Sequence, residues 1–227
     1  MGRAPSSGVG GRVVSFTIVA GDQRSAEWHL ARVGRLTGSR AADMMATIKS
    51  GEAAARRDLR AQLVVEKLTG QPQEDAYVNA VMQRGIDLEP KARRWYEALT
   101  GQMVRQTGFL SHDALAVGCS LDGDVGNFAG IVELKCPKSA THLKYLRAGG
   151  KLPTEHLYQV VHNLWISGAG YCDFCSFDDR FPVNAQFVRM RVERDEAQIK
   201  AYELAASLFL SEVDRDVEAV RALVAAA

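Results

Sequence analysis

Glu133 and Lys135 stand two positions apart in the apolar run IVELKC, which Pro137 then ends. Side chains alternate along an extended chain, so these two charges share one face while Leu134 and Cys136 take the other. Upstream, in CSLDGDVGNFAG, Asp122 lies in a tight acidic turn eleven positions before Glu133, a separation that a hairpin closes. Two carboxylates brought together repel unless a cation neutralises them, and an all-oxygen set suits Mg²⁺ or Mn²⁺. An amine beside such a cation has its pKa pushed down, which lets Lys135 accept a proton or hold an attacking water. The competing reading is an ordinary surface ion pair, since a second Glu-x-Lys occurs at Glu89 to Lys91. Glu89 itself falls on the inward stripe Val78, Met82, Gly85, Glu89, Ala92, Tyr96. A buried carboxylate needs a partner, either a cation or a core arginine, and Gly85 lets a backbone or a substrate come close.

The elements that must carry these residues follow from periodicity. Up to Gly101 the pattern is helical: SAEWHLARVG, SRAADMMATI, LRAQLVVEKLTG stopping at Gly70, and DAYVNAVMQRGIDLEPKARRWYEALTG stopping at Gly101. Pro90 belongs in a first turn or at a kink. The middle then takes a period of two in MVRQTGFL, ALAVGCSL and GIVELKC, which predicts a meander of adjacent strands. SATHLKYLRAGG and TEHLYQVVHNLWISG return to the helical period. In the latter, Leu157, Val160, Val161, Leu164 and Trp165 form a buried stripe and leave Gln159 and His162 together on a more polar side. YCDFCSF and QFVRMRVE read as strands, and a long helix from Asp195 carries Leu204, Leu208, Val213, Val217 and Val220. This order predicts an α/β fold, a central mixed β-sheet flanked by helices. Neither a repeat nor a low-complexity linker divides the chain, so residues 21–227 read as one domain behind a flexible leader, residues 1–20.

Lys and Arg total 28 against 27 Asp and Glu, so a nucleic-acid site must be a local patch. The densest basic cluster of the first half, Arg56, Arg57 and Arg60, reads as a solvated helix face. No stretch approaches the roughly 18 apolar residues of a membrane span, and MGRAPSSGVGGR lacks both the apolar run of a secretory signal and the Lys-Ser/Thr of a P-loop. A cytoplasmic protein is expected. Cys172 and Cys175 have the CxxC spacing of a zinc, iron–sulfur or redox site. On a strand, residues three apart face opposite ways, so buried reduced thiols are the preferred reading.

The segments EWHLARVGRLTGS, RGIDLEP, CSLDG, VELKCP and YQVVHNLWISG, in this order and spacing, resemble the bacteriophage lambda exonuclease family, the YqaJ-type viral recombinases of the PD-(D/E)XK nuclease fold. Two departures stand out: Leu121 replaces the proline of the usual Ser-Pro-Asp-Gly, and Val161 replaces the second glutamine of Gln-x-Gln. The resemblance implies that Asp122 and Glu133 bind metal with the Leu134 carbonyl, that Glu89 helps hold a second ion, and that Lys135 orients or activates water. Two Mg²⁺ ions, or Mn²⁺, would serve one scissile phosphate. Arg32, Ser39, Ser120 and Gln159 match the family's pocket for a 5′-terminal phosphate. Ser39 also opens SRAADMMA as an N-cap would. The implied activity is 5′→3′ digestion of linear double-stranded DNA to mononucleotides, leaving 3′ single-stranded tails, by a homotrimeric ring working with a single-strand annealing protein. The rival expectations are an endonuclease or repair nuclease of the same fold, or a non-catalytic DNA-end-binding or CxxC metal module.

Overall fold

Residues 130–135 are apolar enough to be buried along almost their whole length, and they form an inner strand of the sheet that carries the acids. The computed structural model describes residues 15–21, 23–73 and 80–226. Along the chain run β1 (Phe16–Val19), α1 (Ala26–Arg32), β2 (Leu36–Thr37), α2 (Ala41–Met44), α3 (Ala54–Thr69), α4 (Ala80–Thr100), β3 (Phe109–His112), β4 (Val117–Ser120), β5 (Gly123–Val125), β6 (Gly130–Lys135), α5 (Ser139–Arg147), α6 (Leu157–Ser167), β7 (Tyr171–Phe177), β8 (Phe187–Glu193) and α7 (Glu196–Ala225). The mixed α/β architecture is as expected. The strands divide into two four-stranded sheets, ordered β1-β3-β4-β2 and β5-β6-β7-β8. The expected meander is therefore split between β4 and β5, at Leu121 and Asp122.

Each sheet is mixed. In the second, β6 pairs antiparallel with β5 and parallel with β7, while β8 closes antiparallel on β7. The parallel step from β6 to β7 needs a crossover, which α5 and α6 supply. Opposite faces of β6 and β7 feed separate apolar clusters: Ile131, Cys172 and Phe174 pack with α6 and α7, whereas Val132, Leu134, Cys175 and Phe177 pack with Leu88, Ala92 and Tyr96 of α4.

Gly70, Gly101 and Gly168 end α3, α4 and α6 at positive φ, as left-handed C-caps require. Asp195 caps α7 by accepting from the Ala197 and Gln198 amides. Several expectations change. Phe16–Val19, inside the expected leader, form β1 against β3, because their alternating residues complete that sheet's edge. Residues 1–14 and Val78 lie outside the described residues. Pro90 sits inside α4 rather than in its first turn. Met82 is 51% exposed, so the α4 stripe that packs is Leu88, Ala92 and Tyr96. On α7, Leu204 and Leu208 are exposed, and the buried stripe is Ile199, Tyr202, Ala206, Phe209, Leu210, Val213 and Val217.

The arginine cluster on α3 has a structural explanation. Arg56 forks onto Glu212 of α7 at 2.8 and 3.0 Å and also binds Glu52, while Arg60 reaches Glu52, Glu212 and Asp216. These charges tie α3 to α7 and are neutralised within the chain.

Candidate active site

The β5–β6 hairpin brings the expected acids together. Gly123 pairs with Val132, so Asp122 stands one step beyond the pair, level with Glu133. The Leu134 amide donates to Asp122 Oδ2 at 2.6 Å, which fixes that carboxylate to β6. Residues 126–128 make the turn, and all three have positive φ. Arg105 grips Asp124 through two nitrogens, and Asp124 in turn accepts from the Phe128 amide at 3.1 Å, so the turn is held from both ends. Lys135 Nζ donates to Glu133 Oε1 at 2.5 Å, as their shared face requires. Glu133 is 3% exposed.

Two amides from α6 complete the surroundings of Glu133. Gln159 Nε2 donates to Oε1 at 2.7 Å, and Asn163 Nδ2 donates to Oε2 at 3.1 Å. These residues are four apart and share a helix face. The neighbour of Gln159 at Glu133 is thus Asn163, and not the His162 expected from the helical spacing. His162 is fully buried, and its Nδ1 meets Tyr202 Oη at 2.9 Å while Nε2 meets the Gly118 carbonyl at 3.0 Å, so it joins α6 to α7 and β4. Asn163 went unnoticed because it follows the apolar stripe so closely; its one legible signal was the i, i+4 spacing from Gln159.

Burial, followed by the charges of Glu133 and Glu89, pushes the Asp122 carboxyl well above the usual carboxylate range, against the pull of Lys135 and the Leu134 amide. Burial alone would lower the Lys135 ammonium, yet the charges of Glu133 and Asp122 outweigh it and hold the pKa above its ordinary value. A buried and a half-buried carboxylate answered by one amine make an oxygen-donor set that suits a hard divalent cation.

Glu89 takes a more peripheral place. It binds Arg93 of its own helix at 3.0 Å, so the core-arginine reading holds for its contacts. Its charge still bears on Asp122 and on Cys136. Gly85, one turn earlier, lies near the Cys136 carbonyl, 3.9 Å from where a Cβ would stand. Among the described residues, no three His, Cys, Asp or Glu side chains group closely enough to hold an ion between them.

Of the expected phosphate-binding residues, Ser120 and Arg32 are linked through Trp28, which sequence reading passed over. The Trp28 indole donates to Ser120 Oγ at 2.8 Å, and the Arg32 guanidinium lies 4.1 Å from the centroid of the Trp28 ring. Ser39 is exposed in the turn Gly38–Arg40, its Oγ 3.3 Å from Thr37 Oγ1. It is not an N-cap, because α2 begins only at Ala41 with Arg40 in the capping position and no side-chain bond. Gln159 is occupied by Glu133 and so sits with the carboxylates.

The CxxC metal module finds no support in this geometry. Cys172 and Cys175 are free, buried and on opposite faces of β7, and burial pushes both thiols well above their ordinary pKa.

Paired acids and an amine thus stand on one hairpin, with α6 against one face of its sheet and α4 against the other. Residues 27–170 match the YqaJ-like viral recombinase domain, and the chain belongs to that family. An alkaline exonuclease from Laribacter hongkongensis (LHK-Exo) is 37% identical, with TM-score 0.79 over 88% of this chain and 98% of that one. LHK-Exo in complex with dAMP gives 38% identity and TM-score 0.81 over the same shares. A phage related exonuclease from Haemophilus somnus 129PT shares the fold at 13% identity, with TM-score 0.63 over 82% of this chain and 96% of that one. No curated protein matches the chain.

Proposed function

We propose that the protein is a Mg²⁺-dependent 5′→3′ exonuclease that degrades one strand of linear double-stranded DNA from a 5′-phosphorylated end and leaves a 3′ single-stranded tail. The observation that carries this reading is the Asp122–Glu133 pair beside Lys135, in a chain 37% identical to an alkaline exonuclease. Asp122, Glu133 and the Leu134 carbonyl would hold the cations of the PD-(D/E)XK arrangement, with Glu89 assisting a second. Mg²⁺ or Mn²⁺ bound there supplies positive charge to the scissile phosphate and acidifies water. Lys135 orients the attacking water, while Gln159 and Asn163 keep Glu133 from rotating. Arg32 offers a planar fork of donors to the terminal phosphate, aided by the hydroxyls of Ser39 and Ser120.

A homotrimeric ring around the duplex would explain how a chain of net charge +1 stays on a polyanion, and a single-strand annealing protein would receive the tail. The reaction belongs in the cytoplasm, where linear DNA ends arise; among the described residues, no helix is long and apolar enough to cross a membrane. Digestion of duplexes differing only in the 5′ phosphate, with and without Mg²⁺, tests the proposal. Release of mononucleotides only with Mg²⁺, faster from the phosphorylated end, supports it. Cutting of closed circular DNA would redirect the reading to an endonuclease, and a monomer in sedimentation would remove the ring.

A further inference from the structure

Asn163 is 1% exposed, and its amide nitrogen is bound to Glu133. Its Oδ1 is buried with no hydrogen-bond partner among the described residues. The amide has no better orientation, because exchanging its ends would turn the oxygen toward Glu133 Oε2, acceptor against acceptor. The orphaned oxygen faces Gly38. A Cβ built on Gly38 would fall 2.3 Å from Asn163 Oδ1 and 3.3 Å from its Cγ. Gly38 is not among the glycines with positive φ, so what requires glycine there is space rather than backbone conformation. Gly38 opens the turn that carries Ser39, and Thr37 before it pairs with Gly118 in the first sheet.

We propose that Asn163 is a positioning residue for Glu133 and that Gly38 provides the clearance Asn163 needs. This rests on reading Glu133 as a cation-binding carboxylate. Asn163 fixes Oε2 while Lys135 and Gln159 fix Oε1, so both oxygens are held in one orientation. Hydrogen-bonded partners of metal-binding carboxylates set both the orientation and the affinity of the site. A side chain at position 38 would push Asn163 away and release one oxygen. The turn carrying Ser39 is thereby joined mechanically to the carboxylate through a single amide.

The test is a double-variant cycle on the full chain. Mn²⁺ binding is followed by electron paramagnetic resonance, alongside the Mn²⁺ concentration for half-maximal hydrolysis and the melting temperature. Asn163→Ala should weaken Mn²⁺ binding by about 10- to 100-fold, the usual effect of losing such a partner, without changing the preference for 5′-phosphorylated over 5′-hydroxyl ends. Gly38→Ala should weaken binding similarly. Combining them should add no further loss, because the new Cβ then meets no amide. Losses that multiply in the double variant, or an Asn163→Ala protein with Mn²⁺ affinity within about twofold of the parent, would overturn the inference. Asn163→Ser takes the alanine's place in the cycle if Asn163→Ala does not fold. A parent protein that neither binds Mn²⁺ nor hydrolyses DNA would sink the proposed function and this inference with it. A competent parent matched by its variants would sink the role of Asn163 alone.

Discussion

Replacing His162 with glutamine should remove a large part of the protein's acid sensitivity. Burial lowers the His162 pKa from 6.5 to about 4, against a smaller upward pull from the Gly118 carbonyl. Between those two values the unfolded chain carries a proton on this imidazole that the folded chain refuses. Stability from His162 is therefore complete above pH 6.5 and is lost as pH falls toward 4. At about 1.4 kcal/mol per pH unit, the interval amounts to about 3 kcal/mol, a sizeable share of the roughly 5–15 kcal/mol that holds a typical domain folded. Glutamine offers a donor and an acceptor for Gly118 and Tyr202 but does not titrate. Urea denaturation of both proteins, in steps from about pH 8 to pH 4, isolates the effect, since titrations common to both cancel in the difference. The wild type should lose about 3 kcal/mol relative to His162→Gln across that range. Parallel stability curves would refute the argument.

Other expectations concern the site and the helix pair that backs it. Lys135→Ala should slow nucleotide release by about 100-fold or more while binding of duplex ends persists, measured by single-turnover digestion and filter binding. Arg32→Ala should cost about 10- to 100-fold on 5′-phosphorylated ends, the worth of a charge-assisted bond, and far less on 5′-hydroxyl ends; equal losses would remove Arg32 from the pocket. Glu212→Ala should lower stability by about 1 kcal/mol, because Arg56 and Arg60 lose their shared carboxylate at a partly exposed site, with no change in affinity for DNA ends; a marked change there would mean that α3 contacts the substrate.

The parts of the site carried by one strand or one hairpin were legible in the sequence. Glu133, Lys135 and Asp122 are linked by period-two alternation and a short turn, both local. Asn163 and Trp28 were not legible, because their partners lie 30 and 92 positions away and only folding brings them into contact. Ser39 was misread as a cap because the residues after it make a short turn before α2 starts. On α7, the apolar residues outnumber what one stripe can bury, so periodicity alone did not separate Leu204 and Leu208 from Ile199, Tyr202 and Ala206. The opposite-face placement of Cys172 and Cys175 was legible, since it needs only a strand. The division of the strands into two sheets was not, because it depends on pairings between distant segments such as β1 with β3 and β6 with β7.

The connection through Gly126, Asn127 and Phe128 acts as a ruler for the facing of Asp122 and Glu133. Because strand side chains repeat every second residue, losing or gaining one residue there would slide Asp122 out of step with Glu133 and turn one carboxylate away from the other. The facing of the two carboxylates is in this sense a matter of counting, set by the length of a loop that contains neither of them.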